Sequence, residues 1–313
     1  MHFTQFPYSP MNLNPALAGN FDGAYRLVYN QRRQWRSITP NPFSTIGISA
    51  DAHQPLNLTN AGAGLSIYND RAGASRLNTL QINFAGAYSV PIDSNQTVTF
   101  GVQPGITFKS VNYSKLSFDN QYQGNQYDSD AATGESFGRD NYSYPNLNAG
   151  VQWGYEKEKR KTFTAGVAFF NLLTPDQSLI QTETIPLDRR LSLNVGSNYR
   201  LTEELDILPT LLYMRQGTFN QTSLGTSVKY YLDPSPYHYR AIYLGGWWRV
   251  GDAGNLAIGM DYNRLFASVS YDINYSGLDI ASRNRGGWEV AIIYIFRDLL
   301  PPRKRYKNCP TFI

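Results

Sequence analysis

The sequence predicts an all-β fold, a transmembrane antiparallel up-and-down β-barrel of about 14 strands. Three observations favour this class. Apolar and polar residues alternate along most of the chain, the polar positions carry small residues with few charges, and long connections alternate with short ones. Together these patterns are typical of a barrel that has lipid outside and a polar interior.

The alternation is clearest from Thr79 to Val90 and from Thr97 to Lys109. Strand side chains project alternately to two faces, whereas helical spacing cannot separate apolar from polar residues in this way. Pro104 and Pro209 fall inside predicted strands, where each removes one backbone hydrogen bond. Besides these two segments, we expect strands that begin near Tyr25, Ser44, Gly62, Pro145, Thr162, Arg190, Asp206, Ser223, Tyr239, Asn255, Leu265 and Gly287.

Composition places the apolar faces in lipid. Only 17% of the 313 residues are charged, against roughly 25% in soluble domains. A soluble sandwich would need Lys and Glu on its outer faces. The polar faces of the strands predicted here carry Gly, Ser, Thr, Asn, Gln and Ala instead. No run approaches the ~18 apolar residues of a membrane helix. One Cys and three His leave no basis for a disulfide framework or a metal site, and we expect no cofactor.

The long connections all have odd numbers along the predicted strand order, which indicates one common end of the barrel. They run from Val111 to Tyr144, from Thr174 to Leu187 and from Ser276 to Gly286. Long external loops with short periplasmic turns are typical of outer-membrane barrels, and an even strand number then leaves both termini in the periplasm. The loop of residues 111–143 is rich in Tyr, Asn, Asp and Gly, and is either a lid or a docking surface.

The chain divides into three predicted parts. Residues 1–22, with three prolines, form either a plug in the lumen or a segment below it; residues 23–298 form the barrel, and residues 299–313 form a basic periplasmic tail. The first residues lack the charged and apolar regions of a secretory signal. We therefore expect a mature chain whose signal peptide has been removed.

Several charged residues fall at predicted interior positions. Opposite charges in a narrow lumen can pair and fill it. A polar lumen that only solvates itself and a constriction that selects a solute are the alternatives. The predicted lumen network comprises Arg26, Arg32, Arg36, Asp51, Asp70, Arg200, Asp261, Asp272 and Glu289.

The two ends of the chain are candidate partner-binding segments. A basic, proline-containing tail is suited to a protein partner or to lipid headgroups, unless it is simply a solvated end. No basic groove with stacking aromatic residues accompanies it, so nucleic acid is not expected. None of His2, His53 and His238 falls on a predicted external loop, so we expect no enzyme of the Ser–His–acid type. The candidate partner-binding residues are Asn14, Pro15, Arg303, Lys304, Arg305, Tyr306 and Cys309.

Motifs along nearly the whole chain carry a family resemblance. The first are Phe3-Thr4-Gln5-Phe6, Pro10 and Leu13-Asn14-Pro15-Ala16-Leu17-Ala18-Gly19. They continue with Arg26, Gln34-Trp35-Arg36, Pro42-Phe43-Ser44-Thr45, Asp51, Gly62-Ala63-Gly64, and Asp70 with Gly73. The last are Trp288-Glu289, Tyr294 and Asn308-Cys309-Pro310. This combination resembles the PorP/SprF family of outer-membrane proteins of Bacteroidota.

The resemblance implies a barrel component of the type IX secretion system and of the gliding motility machinery. It further implies periplasmic ring lipoproteins as partners, and a secreted cell-surface adhesin with a type B C-terminal sorting domain as cargo. The chain would then be a receptor or anchor for that cargo in the outer membrane, surrounded by outer-membrane lipids. A separate, larger barrel would be the conduit.

A transporter is the competing class. Asn14-Pro15-Ala16 in an N-terminal plug before fourteen strands also resembles the long-chain fatty-acid channel family. That resemblance implies an N-terminal hatch and a lateral opening for hydrophobic ligands, with Pro104 or Pro209 as the source of a strand kink. An apolar, ligand-sized cavity inside the barrel would distinguish the two classes.

Overall fold

A computed structural model describes residues 3–36, 39, 41–124, 126–134, 138–178, 184–233, 238–276 and 285–296. Fourteen strands form a closed antiparallel barrel, which confirms the predicted fold class. Each strand pairs with the barrel strands before and after it in sequence, and the last strand closes on the first. The barrel strands are β1 (Tyr25–Gln34), β2 (Phe43–His53), β3 (Ala61–Ala72), β4 (Leu77–Pro91), β5 (Gln96–Ser110), β8 (Asn141–Glu158), β9 (Lys161–Phe170), β10 (Arg190–Arg200), β11 (Leu205–Gln216), β12 (Phe219–Asp233), β13 (Arg240–Arg249), β14 (Ala253–Tyr262), β15 (Leu265–Asn274) and β16 (Arg285–Phe296).

The remaining elements are short. The strands β6 (Tyr122–Gln123) and β7 (Gln126–Tyr127) form a separate hairpin. Helical turns are Phe6–Tyr8, α1 (Pro10–Leu13), Pro15–Leu17, Pro55–Asn57, Tyr113–Lys115 and Asp119–Gln121. In the part of the chain that the structure describes, no helix has both the length and the apolar character needed to cross a membrane.

The two faces of the wall differ as the alternation predicts. In β15, Ser268, Ser270 and Asp272 point inward and are buried, whereas Val269 and Tyr271 point outward and are about half exposed. An exposed apolar belt on a closed sheet suits hydrocarbon, because closure leaves no unpaired strand edge in lipid.

Connections at the two ends of the barrel differ in length. We call one end the long-loop end; of the described residues it carries 35–36, 39, 41–42, 73–76, 111–124, 126–134, 138–140, 171–178, 184–189, 217–218, 250–252 and 275–276. We call the other the short-turn end; of the described residues it carries 54–60, 92–95, 159–160, 201–204, 238–239 and 263–264. The start of β1 and the end of β16 both lie at the short-turn end.

The longest loop is shorter than predicted. Strand β8 begins at Asn141, because Tyr142 and Tyr144 continue the ladder opposite Lys109 and Thr107 of β5. The loop therefore covers residues 111–140 and contains the β6–β7 hairpin, which the sequence pattern did not predict.

Both prolines inside strands coincide with gaps in the ladder. Between β4 and β5 the pairing passes from Asn83–Gly105 to Gly86–Val102, so Pro104 has no partner on β4. Between β10 and β11, Pro209 likewise falls in a gap. The missing N–H of proline explains why the ladder opens at these two places.

Candidate functional site

The lumen is filled by the start of the chain. Residues 3–19, which we call the plug, lie inside the barrel; Gln5 and Asn14 are fully buried, and Met11 is 1% exposed. The sequence left open whether this segment enters the lumen, and the structure places it there. Burial raises the pKa of Tyr8 in the plug to about 12.

Prolines shape the plug. A proline stands at the first or second position of each of its three helical turns. Proline suits the first turn of a helix because its φ is already helical and its missing N–H has no intrahelical partner to lose. The prolines at positions 7, 10 and 15, which argued against a strand, therefore produce a compact chain of turns.

Side chains of the barrel wall donate hydrogen bonds to backbone carbonyl groups of the plug. Short turns leave carbonyl groups unpaired, and buried carbonyl groups need hydrogen-bond donors. Four donors from three strands, β1, β5 and β10, supply them. They are Asn30 to Tyr8 O (3.2 Å), Gln103 to Met11 O (3.4 Å), Ser192 to Leu13 O (3.3 Å) and Arg26 to Leu17 O (3.1 Å).

Inward-facing glycines provide the space for the plug. A Cβ on Gly101 would lie 2.3 Å from Ala16 N and 2.4 Å from Pro15 C, both backbone atoms. A Cβ on Gly62 would lie 2.1 Å from Ala18 O. The small residues of the polar faces are therefore a docking surface for the plug, a role that the sequence pattern alone did not reveal.

An ion cluster ties the start of the plug to the wall. Arg32 and Arg249 both contact Asp272 Oδ2, at 2.8 and 3.1 Å, and Arg32 Nε lies 3.8 Å from Glu289. Backbone N–H groups of Thr4 and Gln5 each donate to Glu289 at 2.9 Å. All four charged side chains are at most 4% exposed. Two buried cations thus face two buried carboxylates, of which Glu289 accepts from the plug, and Arg249 also pairs with the partly exposed Asp252.

A second ion pair holds the exit of the plug at the short-turn end. Arg26 contacts Asp51 through two parallel bonds of 3.0 and 2.6 Å, and the Gly19 N–H donates to the same carboxylate at 2.8 Å. The guanidinium also lies 4.5 Å from the ring of Phe21. Bidentate pairing of this kind fixes orientation as well as charge.

Two further ion pairs lie among tyrosines on the other side of the lumen. Lys229 contacts Asp261 at 3.0 Å, and Tyr243 donates to Asp261 at 2.6 Å. Arg160 contacts Asp206 at 2.6 Å. Asp261 was predicted from the sequence, but its partner Lys229 and the pair of Arg160 with Asp206 were not. Lys229 and Asp206 stand at inward positions of their strands, so alternation could have identified them. Arg160 lies in a turn, where alternation does not apply.

The remaining predicted residues lie elsewhere. Asp70 accepts a 2.5 Å hydrogen bond from Thr45 and lines a cavity; it does not join the ion cluster. Arg36 is exposed beyond the end of β1, and Arg200 pairs with Glu203 at a short turn, so the structure corrects their assignment to the lumen network. Arg36 lies two residues past the end of β1 and Arg200 is the last residue of β10, so both errors come from applying strand alternation at or beyond a strand end.

The candidate partner-binding residues have two outcomes. Asn14 and Pro15 are buried in the lumen, where Asn14 donates to Val151 O at 3.1 Å and to Gln152. In this arrangement they meet the barrel wall instead of an external partner. The other five, Arg303, Lys304, Arg305, Tyr306 and Cys309, lie outside the described residues.

A polar cavity of about 230 Å³ lies above the plug towards the long-loop end. Loop residue Gln177 reaches over it, accepting a 3.0 Å bond from Lys109 and, through its backbone, a 2.8 Å bond from Tyr142. Eight of the 17 residues that line the cavity carry amide side chains: Asn12, Gln81, Asn83, Gln103, Asn146, Asn148, Asn171 and Gln216. This composition differs from the apolar cavity expected of a hydrophobic-ligand channel.

The β6–β7 hairpin presents two aromatic rings at the long-loop end. Tyr122 and Tyr127 lie directly opposite each other, with ring centroids 5.3 Å apart, and are 52% and 49% exposed. Tyrosine is enriched at protein interfaces because one end of its side chain is apolar and the other is polar. This pair is therefore the candidate docking surface of the loop.

Histidine and acidic side chains are the residue types that a metal site would need. His53 Nδ1 lies 2.9 Å from Gly19 O, where it contacts the exit of the plug. Within the described ranges, no three His, Cys, Asp or Glu side chains are grouped so that they could hold a metal ion.

A closed barrel with an apolar outer belt, a polar interior and a lumen filled by its own N-terminal segment defines an outer-membrane β-barrel protein. The chain belongs to the family described as type IX secretion system membrane protein PorP/SprF, which matches residues 1–294. It is thus an outer-membrane barrel component of that secretion system. None of the curated proteins matches the sequence.

Solved structures share the fold at low identity. The "CymD monoaromatic hydrocarbon channel" is 11% identical with a TM-score of 0.52, covering 93% of each chain. The Pseudomonas putida toluene transporter TodX is 9% identical with a TM-score of 0.51, covering 91% of this chain and 92% of TodX. These likenesses concern the fold alone.

Proposed function

We propose that this barrel is a receptor or anchor for a secreted cell-surface protein, and not the conduit of the secretion system. One observation carries the proposal: the lumen is occupied by the plug, which wall side chains bind on most sides and two buried ion sites hold at its ends. A barrel of a secretion family whose lumen is filled in this way acts by binding. As part of the proposal, the cargo carries a type B C-terminal sorting domain.

The two ends of the barrel are assigned to different partners. We place the long loops outside the cell, as is usual in outer-membrane barrels, and the short turns with both termini in the periplasm. The exposed Tyr122–Tyr127 pair is then the cargo surface. The basic tail, with Arg303, Lys304 and Arg305, would meet periplasmic ring lipoproteins.

Retention of partners from native outer membranes tests both assignments. With a tagged barrel and mass spectrometry, we expect the double variant Tyr122→Ala/Tyr127→Ala to retain about one-tenth or less of the surface protein that the unsubstituted barrel retains. Hot-spot aromatic residues typically contribute 2 kcal/mol or more to binding.

Removing residues 301–313 should instead reduce the amount of ring lipoprotein retained and leave the barrel heat-modifiable on gels.

Phe219→Ala is the matched control for the tyrosines, since Phe219 is 81% exposed at the same end but outside the hairpin. Equal loss with this control would contradict the cargo surface. Recovery of neither partner class with the unsubstituted barrel would contradict the receptor proposal as a whole.

Transport of small hydrophobic molecules is a second candidate function, and one observation favours it. The ladder gap at Pro209 adjoins a cavity of about 260 Å³ that lies between the plug and the wall. Apolar plug residues Phe6, Leu13 and Leu17 line part of it, together with polar wall residues such as Asn194. An apolar molecule entering sideways from the membrane would meet this cavity first.

Restoring the ladder tests this second function. Pro209→Val supplies the missing N–H and favours strand pairing. If the gap is an entrance, uptake of a radiolabelled long-chain fatty acid by whole cells should fall about tenfold or more, whereas Pro104→Val at the other gap should have little effect. Unchanged uptake in cells that carry Pro209→Val would exclude the entrance.

A further inference from the structure

Five arginines gather on the outer wall at the long-loop end of β16, β1, β2 and β3. Arg33 and Arg71 follow the inward-facing Arg32 and Asp70 in their strands, so their side chains face outward. Arg285 lies opposite Ile273, an exposed residue of the lipid-facing side. Arg36 and Arg76 lie in the adjoining connections, and all five side chains are exposed. We call these five residues the arginine patch.

Two clefts share this patch. One of about 420 Å³ is lined by Arg33, Arg71 and Arg76. The other, of about 360 Å³, is lined by Arg33, Arg36 and Arg285. Both volumes fall in the range of roughly 300–1,000 Å³ typical of small-molecule sites. Arg33 therefore stands between two cationic clefts on the outside of the barrel.

Within the described ranges, the charge of the patch is not compensated by neighbouring acidic residues. Among the described residues, no Asp or Glu faces outward in the strands that carry it, since Asp51, Asp70 and Glu289 all point into the lumen. The structure also records no ion pair for the five arginines within the described part of the chain. Concentrated positive charge of this kind attracts an anion.

The position of the patch identifies the anion as part of a lipid. Ile48, Leu65 and Ile67 of the same strands lie nearer the middle of the barrel and are 53%, 37% and 38% exposed, as expected for the apolar belt. Trp288 and Tyr271 line the second cleft, and Arg33 lies 5.8 Å from the ring of Trp288. Aromatic residues at this level mark the boundary between hydrocarbon and headgroups.

We infer that the arginine patch binds a phosphorylated membrane lipid, with its phosphates in the two clefts and its acyl chains on the apolar belt below. Guanidinium groups suit phosphate because their planar donors form paired bonds to it. Two clefts that share Arg33 fit a headgroup with two phosphates, such as that of a diphosphorylated glycolipid. This site is independent of the cargo surface on the β6–β7 hairpin.

Native mass spectrometry of the full barrel in neutral detergent, titrated with diphosphoryl lipid A, tests the inference. We expect the triple variant Arg33→Gln/Arg71→Gln/Arg285→Gln to bind this lipid about 100-fold more weakly, because each basic residue at a lipid surface contributes about a factor of five. Arg215→Gln is the matched control, since Arg215 is an exposed arginine near the long-loop end of β11, outside the patch. The control should bind like the unsubstituted barrel.

Three outcomes would overturn the inference. One is equal binding by the triple variant while it remains heat-modifiable on gels. Another is equal binding of dephosphorylated lipid A, which would assign recognition to the acyl chains. The third is displacement of the lipid by inorganic pyrophosphate at the lipid's own concentration, which would identify a site for soluble phosphate instead.

Discussion

Replacing Arg32 by Met is expected to lower the free energy of unfolding of the barrel by about 3–5 kcal/mol, the usual effect of removing one partner from a buried ion site. Arg32 lies between Asp272 and Glu289, and its side chain is 2% exposed. Without it, Glu289 keeps the two plug N–H groups but loses its nearest cation, and Asp272 keeps only Arg249 as a cationic partner. Urea unfolding in lipid vesicles, followed by tryptophan fluorescence, measures the change.

Arg215→Met provides the comparison. Arg215 is an exposed arginine on β11, outside both the ion cluster and the arginine patch, and surface changes of this kind usually stay within about 0.5 kcal/mol. Equal destabilisation by both variants would mean that the ion cluster does not stabilise the filled barrel.

Gly101→Val is expected to displace the plug without opening the barrel wall. Its Cβ would lie within 2.5 Å of the backbone of Pro15 and Ala16, which cannot rotate away as a side chain can. Overpacking of this kind costs about 1–3 kcal/mol, so the displaced population should rise about 5- to 150-fold. Limited digestion with chymotrypsin, with mass spectrometry of the fragment cut after Tyr8, measures that population.

Gly86→Val is the control for this experiment, because a Cβ on Gly86 has no neighbour within 4 Å. It lies on a neighbouring strand and adds the same side chain on the lipid-facing side. Cleavage after Tyr8 should therefore stay at the level of the unsubstituted protein. Equally fast cleavage in both variants would contradict the docking role of Gly101.

The barrel itself was predictable from the sequence because alternation and closure are imposed by lipid at every strand. The segments predicted to begin near Gly62 and Asp206, for example, are strands β3 and β11. Pro104 and Pro209 each open the ladder to one neighbouring strand. The ladder to the other neighbour stays intact, because Pro104 pairs with Leu147 of β8 and Pro209 pairs with Thr226 of β12. A missing donor on one edge is thus tolerated when the opposite ladder is intact.

The filled lumen was harder to predict. Alternation shows that Arg32, Asp272 and Glu289 point inward, but not that they meet, because that depends on the shear of the closed sheet. The plug has no periodicity that would place it. It contacts the wall largely through its own backbone, whose carbonyls accept from wall side chains and which packs on wall glycines, and neither feature carries a pattern of charge. Arg249 stands at the end of β13, where alternation alone does not determine on which side a side chain lies.

Electrical conductance across a planar lipid bilayer tests most directly whether this barrel is occupied instead of open. After insertion of the purified, unsubstituted protein, we expect a baseline current, with no lasting steps, because the plug fills the space that ions would need. A steady conductance that rises in proportion to voltage, with each inserted barrel adding one step, would contradict the occupied lumen and with it the receptor proposal.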